Sequence, residues 1–220
     1  MGARSRTNPL ALAVLALLWE RPMHPYEMSM TLRERRKDES VKLNFGSLYS
    51  VVDSLVKHGL IEAASTERDG NRPTRTVYRI TDAGATEAID WLTDLVRTPV
   101  KEFPQFEAAL SFLPLIGPDD VVRLLRLRLV SLDRQVAGIE ASLADARAAG
   151  LPAIFSLESD YELAIVRAER AFVATLTESL ADGSFEGVAL WRELHERAAA
   201  QGRLAPDDLA EVLGPYLSAP

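Results

Sequence analysis

A chain of 220 residues with 47% hydrophobic side chains can bury a substantial core as one large domain or two small ones, which excludes a disordered or fibrous protein. It has no cysteine, so disulfides, Cys-ligated zinc and thiol catalysis are excluded, and the composition fits a reducing cytoplasm. The formal net charge of −7 is unevenly spread: residues 1–80 carry 13 Lys and Arg against 9 Asp and Glu, whereas the other 140 carry 12 against 23. A basic head on an acidic body predicts an anionic partner for the head alone.

The opening RSRTNPLALAVLALLW has the outline of a secretory signal. Its apolar run is too short to span a bilayer, and WERPMHPYE offers no small-residue cleavage site, so a buried helix over Pro9–Glu20 and no membrane partner are expected. Asn8 is placed to cap that helix and Pro9 to occupy its first position. Pro25 begins a second helix reaching about Lys37. In the third, Leu48, Val51, Val52, Leu55 and Val56 fall at helical spacing, opposite Ser47, Ser50, Asp53, Ser54 and Lys57, and Gly59 follows as a helix-ending glycine.

LIEAAST and TRTVYRIT read as two strands joined by the polar ERDGNRP. Thr81 and Asp82 open a further helix that stops before Pro99. Helix, helix, helix, strand, turn, strand, helix is the order of a winged helix-turn-helix. Arg68, Arg72, Arg75 and Arg79 crowd the hairpin tip, as a wing laid along a phosphate backbone would require.

The remainder reads as helical: a short segment over Phe103–Leu115, then a long helix from Pro118 to about Ala149. Within it Val122, Leu125, Leu129, Leu132, Val136, Ile139 and Leu143 repeat at spacings of 3 and 4, a coiled-coil-like seam. Gly150-Leu151-Pro152 breaks it. A second long helix over Ala153–Leu180 carries a stripe of Leu157, Tyr161, Ile165, Ala168, Phe172, Leu176 and Leu180, so the two should fold back as an antiparallel hairpin. Smaller helices follow over Phe185–Gln201 and Pro206–Leu217. The expected fold class is mainly α: a winged helix-turn-helix with a two-stranded β wing over residues 1–98, and an antiparallel helical dimerisation domain over 99–220.

FGSLYSVVDSLVKHGLIE followed by GNRPTRTVYRITDAG resembles the PadR family of bacterial transcriptional regulators, and MHPYEM resembles that family's short turn before a Tyr. The helical tail is similar to the larger PadR subfamily, whose C-terminal region dimerises. The resemblance implies a homodimer on palindromic double-stranded operator DNA, often released by a small molecule such as a phenolic acid.

The third helix is thus the expected recognition element, with Asn44, Ser47, Tyr49, Ser50 and Ser54 near bases or phosphates and Lys42 and Lys57 as phosphate ligands. Arg68, Asn71, Arg72 and Arg75 form the wing contacts, while Arg79, inside the strand, is matched to a carboxylate of its own chain. The unremarkable alternative is a solvated helix and a hairpin made soluble by its charges. Dimerisation is assigned to Val122, Leu125, Leu129, Leu132, Val136, Ile139, Leu143, Phe172 and Leu176. Tyr26, Trp91, Phe103, Phe106 and Tyr161, near the 98–104 joint, are candidates for the pocket of a small aromatic effector, although aromatics at helical spacing are more often core. His24, His58 and His195 are not spaced for a metal, and no nucleophile elbow or phosphate loop is present, so no metal, cofactor or catalysis is expected. A regulator without a ligand and a winged helix that contacts protein are the rival readings.

Overall fold

The structure, a computed structural model, describes residues 8–37, 40–41, 44–67 and 75–201. The chain divides into two compact units, Met1–Glu102 and Phe103–Pro220. The predicted helix over Pro206–Leu217 lies outside the described residues.

In the first unit α1 (Pro9–Glu20) starts where local chemistry dictates. The Asn8 side chain accepts a hydrogen bond from the Leu10 amide at 3.1 Å, and Pro9 takes the first position, where its missing N–H costs nothing. In α2 (Pro25–Glu34) the cap is His24, whose Nδ1 accepts from the Tyr26 amide at 3.0 Å. This helix ends three residues earlier than the sequence predicts. Arg36 adopts φ +55°, the Arg36 amide bonds to the Arg33 carbonyl and the Lys37 amide to the Leu32 carbonyl, the closing pattern usually built on glycine. The helix α3 (Phe45–Lys57) ends on the same pattern, with Gly59 at φ +69° as expected.

The wing strands β1 (Ile61–Glu67) and β2 (Arg75–Ile80) pair antiparallel, with a register irregularity between Ala63 and Ser65. Met23 adds a bridge to this sheet, exchanging hydrogen bonds of 3.0 Å in both directions with Tyr78. Leu10, Val14, Leu15 and Leu18 of α1 form the core with Met28 and Leu32 of α2 and Leu48, Val52 and Leu55 of α3. A double contact from Arg35 to Glu20 ties α2 to the end of α1, and that hydrogen bond holds the Glu20 carboxyl below the usual carboxylate range.

The helix α4 (Asp82–Arg97) is locked onto the wing at its first turn. Thr81 Oγ1 donates to the Gly59 carbonyl at 2.7 Å and accepts from the Gly84 amide at 3.1 Å. A Cβ on Gly84 would stand 2.0 Å from the Leu60 carbonyl oxygen, so backbone must pass where a side chain would begin. Gly84→Ala is therefore expected to lower unfolding stability by about 1–3 kcal/mol, the usual cost of overpacking. Urea denaturation measures it, and an unchanged midpoint would refute the close approach.

The second unit contains α5 (Gln105–Leu110), a 3-10 turn at Leu113–Leu115, α6 (Pro118–Ala148), a 3-10 turn at Ala153–Phe155, α7 (Leu157–Asp182) and α8 (Val188–Gln201). The long helices are antiparallel, as their ion pairs record. Arg128 meets Glu169 and Asp133 meets Arg170 near one end, whereas Glu140 meets Arg167 and Arg147 meets Asp160 farther on, so the later part of α6 meets the earlier part of α7. The Trp191 indole donates to the Ile116 carbonyl at 2.9 Å, fastening α8 to the segment before α6.

The seam of α6 is buried inside this hairpin, a correction to its assignment as surface for a second subunit. Val122, Leu125, Leu132 and Leu143 are buried and Leu129 packs against the same cluster, while Val136 and Ile139 are half-buried. The apolar residues of α7 separate into two faces where the sequence suggested one stripe. Leu180 is buried and Leu176 packs on the α6 cluster with Val166 and Val173, whereas Leu157, Tyr161, Ile165, Ala168 and Phe172 are exposed. A long helix has room for two apolar rows, and packing on α6 selects the row that includes Leu163, Val173 and Leu180.

Candidate nucleic-acid interface

The helix α3 is held rigidly from both sides. Its buried face inserts Leu48, Val51, Val52 and Leu55 into the core, and its start is closed by a capping box. The Ser47 amide donates to Asn44 Oδ1 at 2.7 Å, and the Asn44 amide donates to Ser47 Oγ at 3.4 Å. Ser47 Oγ also donates to the Asn44 carbonyl at 2.9 Å, so both expected contact residues are engaged in the cap. Ser50 Oγ donates to the Gly46 carbonyl at 3.0 Å, which leaves its lone pairs facing outward as acceptors.

Opposite the buried row, one line runs along the helix through Gly46, Ser50, Asp53 and Lys57, at spacings of four, three and four. All four are exposed. Tyr49 flanks this line on one side, 45% exposed, so its ring is available to solvent. Ser47 and Ser54 flank it on the other, where they face α1. A groove of about 380 Å³ opens there, with Asn8 on one wall, Ser47, Ser50 and Ser54 on the other, and Val51 and Leu55 in its floor. Asp53 and Asn8 were not among the predicted contacts. Asp53 was legible from its place on the polar face, but the part of Asn8 in this groove depends on how α1 crosses α3.

Arg75 opens β2, and its strand partner is Glu67. Lys42, Arg68, Asn71 and Arg72 lie outside the described residues. Arg79 is paired at home: Nε donates to Glu62 Oε1 at 2.8 Å across the register pair of the two strands. That leaves Arg79 committed to the sheet.

The aromatic candidates are distributed unequally. Trp91 is 2% exposed in the core of the first unit, and its Nε1 has no hydrogen-bond partner among the described residues. As a core side chain it does not line an open pocket, which corrects that expectation; α4 is amphipathic, and Trp91 falls on its inward row with Ala88. Tyr26 is exposed at the first turn of α2. In the second unit Phe103 and Tyr161 are exposed, while Phe106 is half-buried with the Arg128 guanidinium 3.7 Å over its ring. Among the described residues no cluster of three metal-ligating side chains occurs, and no helix is long and apolar enough to cross a membrane.

Residues 14–89 match the transcriptional regulator PadR-like family. No curated protein matches the chain in sequence. Among solved structures the chain is similar to Bacillus subtilis PadR in complex with operator DNA, at 18% identity and TM-score 0.64, over 78% of this chain and 97% of that one. The same Bacillus subtilis protein in complex with p-coumaric acid matches at 17% identity and TM-score 0.64, over 78% and 98%. The Vibrio cholerae virulence activator AphA matches at 17% identity and TM-score 0.60, over 79% and 98%. At these identities the likeness is one of fold.

Proposed function

We propose that the protein, whose residues 14–89 match the PadR-like family of transcriptional regulators, is a repressor that binds palindromic operator DNA as a homodimer in the bacterial cytoplasm and is released by a small aromatic effector. The observation that carries this reading is the outward line of α3. It bears hydrogen-bonding side chains and no apolar one, on a helix fixed by its cap and its buried face beside a two-stranded wing. Such a helix fits the major groove, and Tyr49, Ser50 and Ser54 supply contacts to base edges or to the adjoining phosphates. Residues 1–98 would be the DNA-binding part and 99–220 the dimerisation part. Two copies would place their recognition helices in successive major grooves roughly 34–36 Å apart. Binding of the purified protein to DNA from its own promoter region, followed by fluorescence anisotropy at several salt concentrations, tests the reading. Absence of binding at every salt concentration would overturn it.

The exposed face of α7 is the surface we assign to the second copy, because the α6 seam is already used within the hairpin. The effector is assigned to the aromatic side chains of the second unit. One face of Phe106 is already covered by Arg128, whereas the rings of Phe103 and Tyr161 are solvent-exposed. The related Bacillus subtilis structure with p-coumaric acid supports a planar acid of that kind. Titration with p-coumaric acid is expected to release operator DNA, with weaker potency in Tyr161→Phe and Phe103→Ala proteins. Equal potency in all three would remove these residues from the effector site.

A further inference from the structure

The middle of the outward line of α3 is occupied by an acid. Asp53 stands one turn after Ser50 and one turn before Lys57, is exposed, and has no ion pair or hydrogen bond to its side chain among the described residues. Local stability gives no reason for it. It lies in the C-terminal half of α3, where the helix dipole favours cations over anions. Nor does Lys57, four residues on, close an ion pair with it, although that spacing permits one.

Its position is also the one that a polyanion would penalise. Duplex DNA carries one negative charge per roughly 1.7 Å of axis, so a carboxylate brought into a groove must find a donor there. A carboxylate only accepts. In the major groove guanine presents O6 and N7 and thymine presents O4, all acceptors, which oppose it. Adenine presents N6–H₂ beside the N7 acceptor, a pair that suits an amide. Cytosine presents its N4 amino group with no acceptor of its own beside it.

We infer that Asp53 is a base-reading residue, accepting a hydrogen bond from the N4 amino group of a cytosine in each operator half-site. This rests on the proposed DNA-binding function. Asp53 sets specificity by rejection as much as by contact, since its charge disfavours every duplex that does not offer the amino group at that place.

Selection of binding sites from randomised double-stranded DNA by the full-length chain tests this. The wild-type protein is expected to recover a symmetric site with cytosine at one fixed position per half, and replacing that cytosine should weaken binding about ten- to hundredfold. Asp53→Asn should move the preference at that position toward adenine. Asp53→Ala should erase it and raise affinity for random DNA, with thermal unfolding unchanged because the side chain is exposed. If Asp53→Asn strengthens binding to all sequences alike and leaves the selected site unaltered, Asp53 only repels and the inference falls. If the wild-type protein recovers no sequence at all, the DNA-binding function itself falls and the inference with it.

Discussion

A protein carrying Ile165→Asp and Phe172→Asp is expected to sediment as a monomer at micromolar concentration and to lose operator affinity by a hundredfold or more. Ile165 and Phe172 are 52% and 51% exposed on α7, in a row with Leu157, Tyr161 and Ala168. Completing the burial of one such side chain stabilises by up to about 1.5–3 kcal/mol, and a two-fold interface contains every member of the row twice. Each substitution removes that gain and places a carboxylate in the interface, where an unpaired charge is costly. The hairpin core should survive, because Val173, Thr177 and Leu180 face the other way and are buried. Leu132→Ala supplies the contrast. That residue lies in the hairpin core, and its truncation should cost about 2–5 kcal/mol of folding stability. A double variant that still sediments as a dimer would move the interface elsewhere. The exposed row of Ile89, Leu92 and Val96 on α4 would then be the surface to examine.

Removing the wing cations should weaken binding without redirecting it. Arg72→Ala and Arg75→Ala are each expected to reduce affinity for operator and random DNA alike, on the order of tenfold, the worth of one charge-assisted hydrogen bond. The slope of log affinity against log salt should become shallower by about 0.9 for each phosphate that is no longer neutralised. Arg79→Ala provides the control: its guanidinium is held by Glu62, so the slope should not change. Ser50→Ala and Tyr49→Ala should behave oppositely, altering the ranking of operator variants while the slope stays in place. A wing substitution that changed the ranking, or a helix substitution that changed only the slope, would reverse this division of labour.

Features decided over a few residues were legible in the sequence. Asn8 followed by Pro9 begins α1, Thr81 begins α4, Pro118 begins α6 and Gly59 ends α3, because each satisfies or omits a backbone group within one helical turn. The apolar face of α3 and the seam of α6 were legible for the same reason, since a period of three to four residues is local information. The end of α2 was not, because Arg36 takes a left-handed conformation that its side chain does not announce. Arg79 showed its charge, but its union with Glu62 depends on a strand register that passes an irregularity between Ala63 and Ser65. Tertiary structure alone decided between the two apolar rows of α7, and it sent Trp91 into a core in place of an open pocket. Periodicity reports which side chains share a face. Which face is covered is settled by elements distant in sequence, through the total apolar area that their packing removes from water.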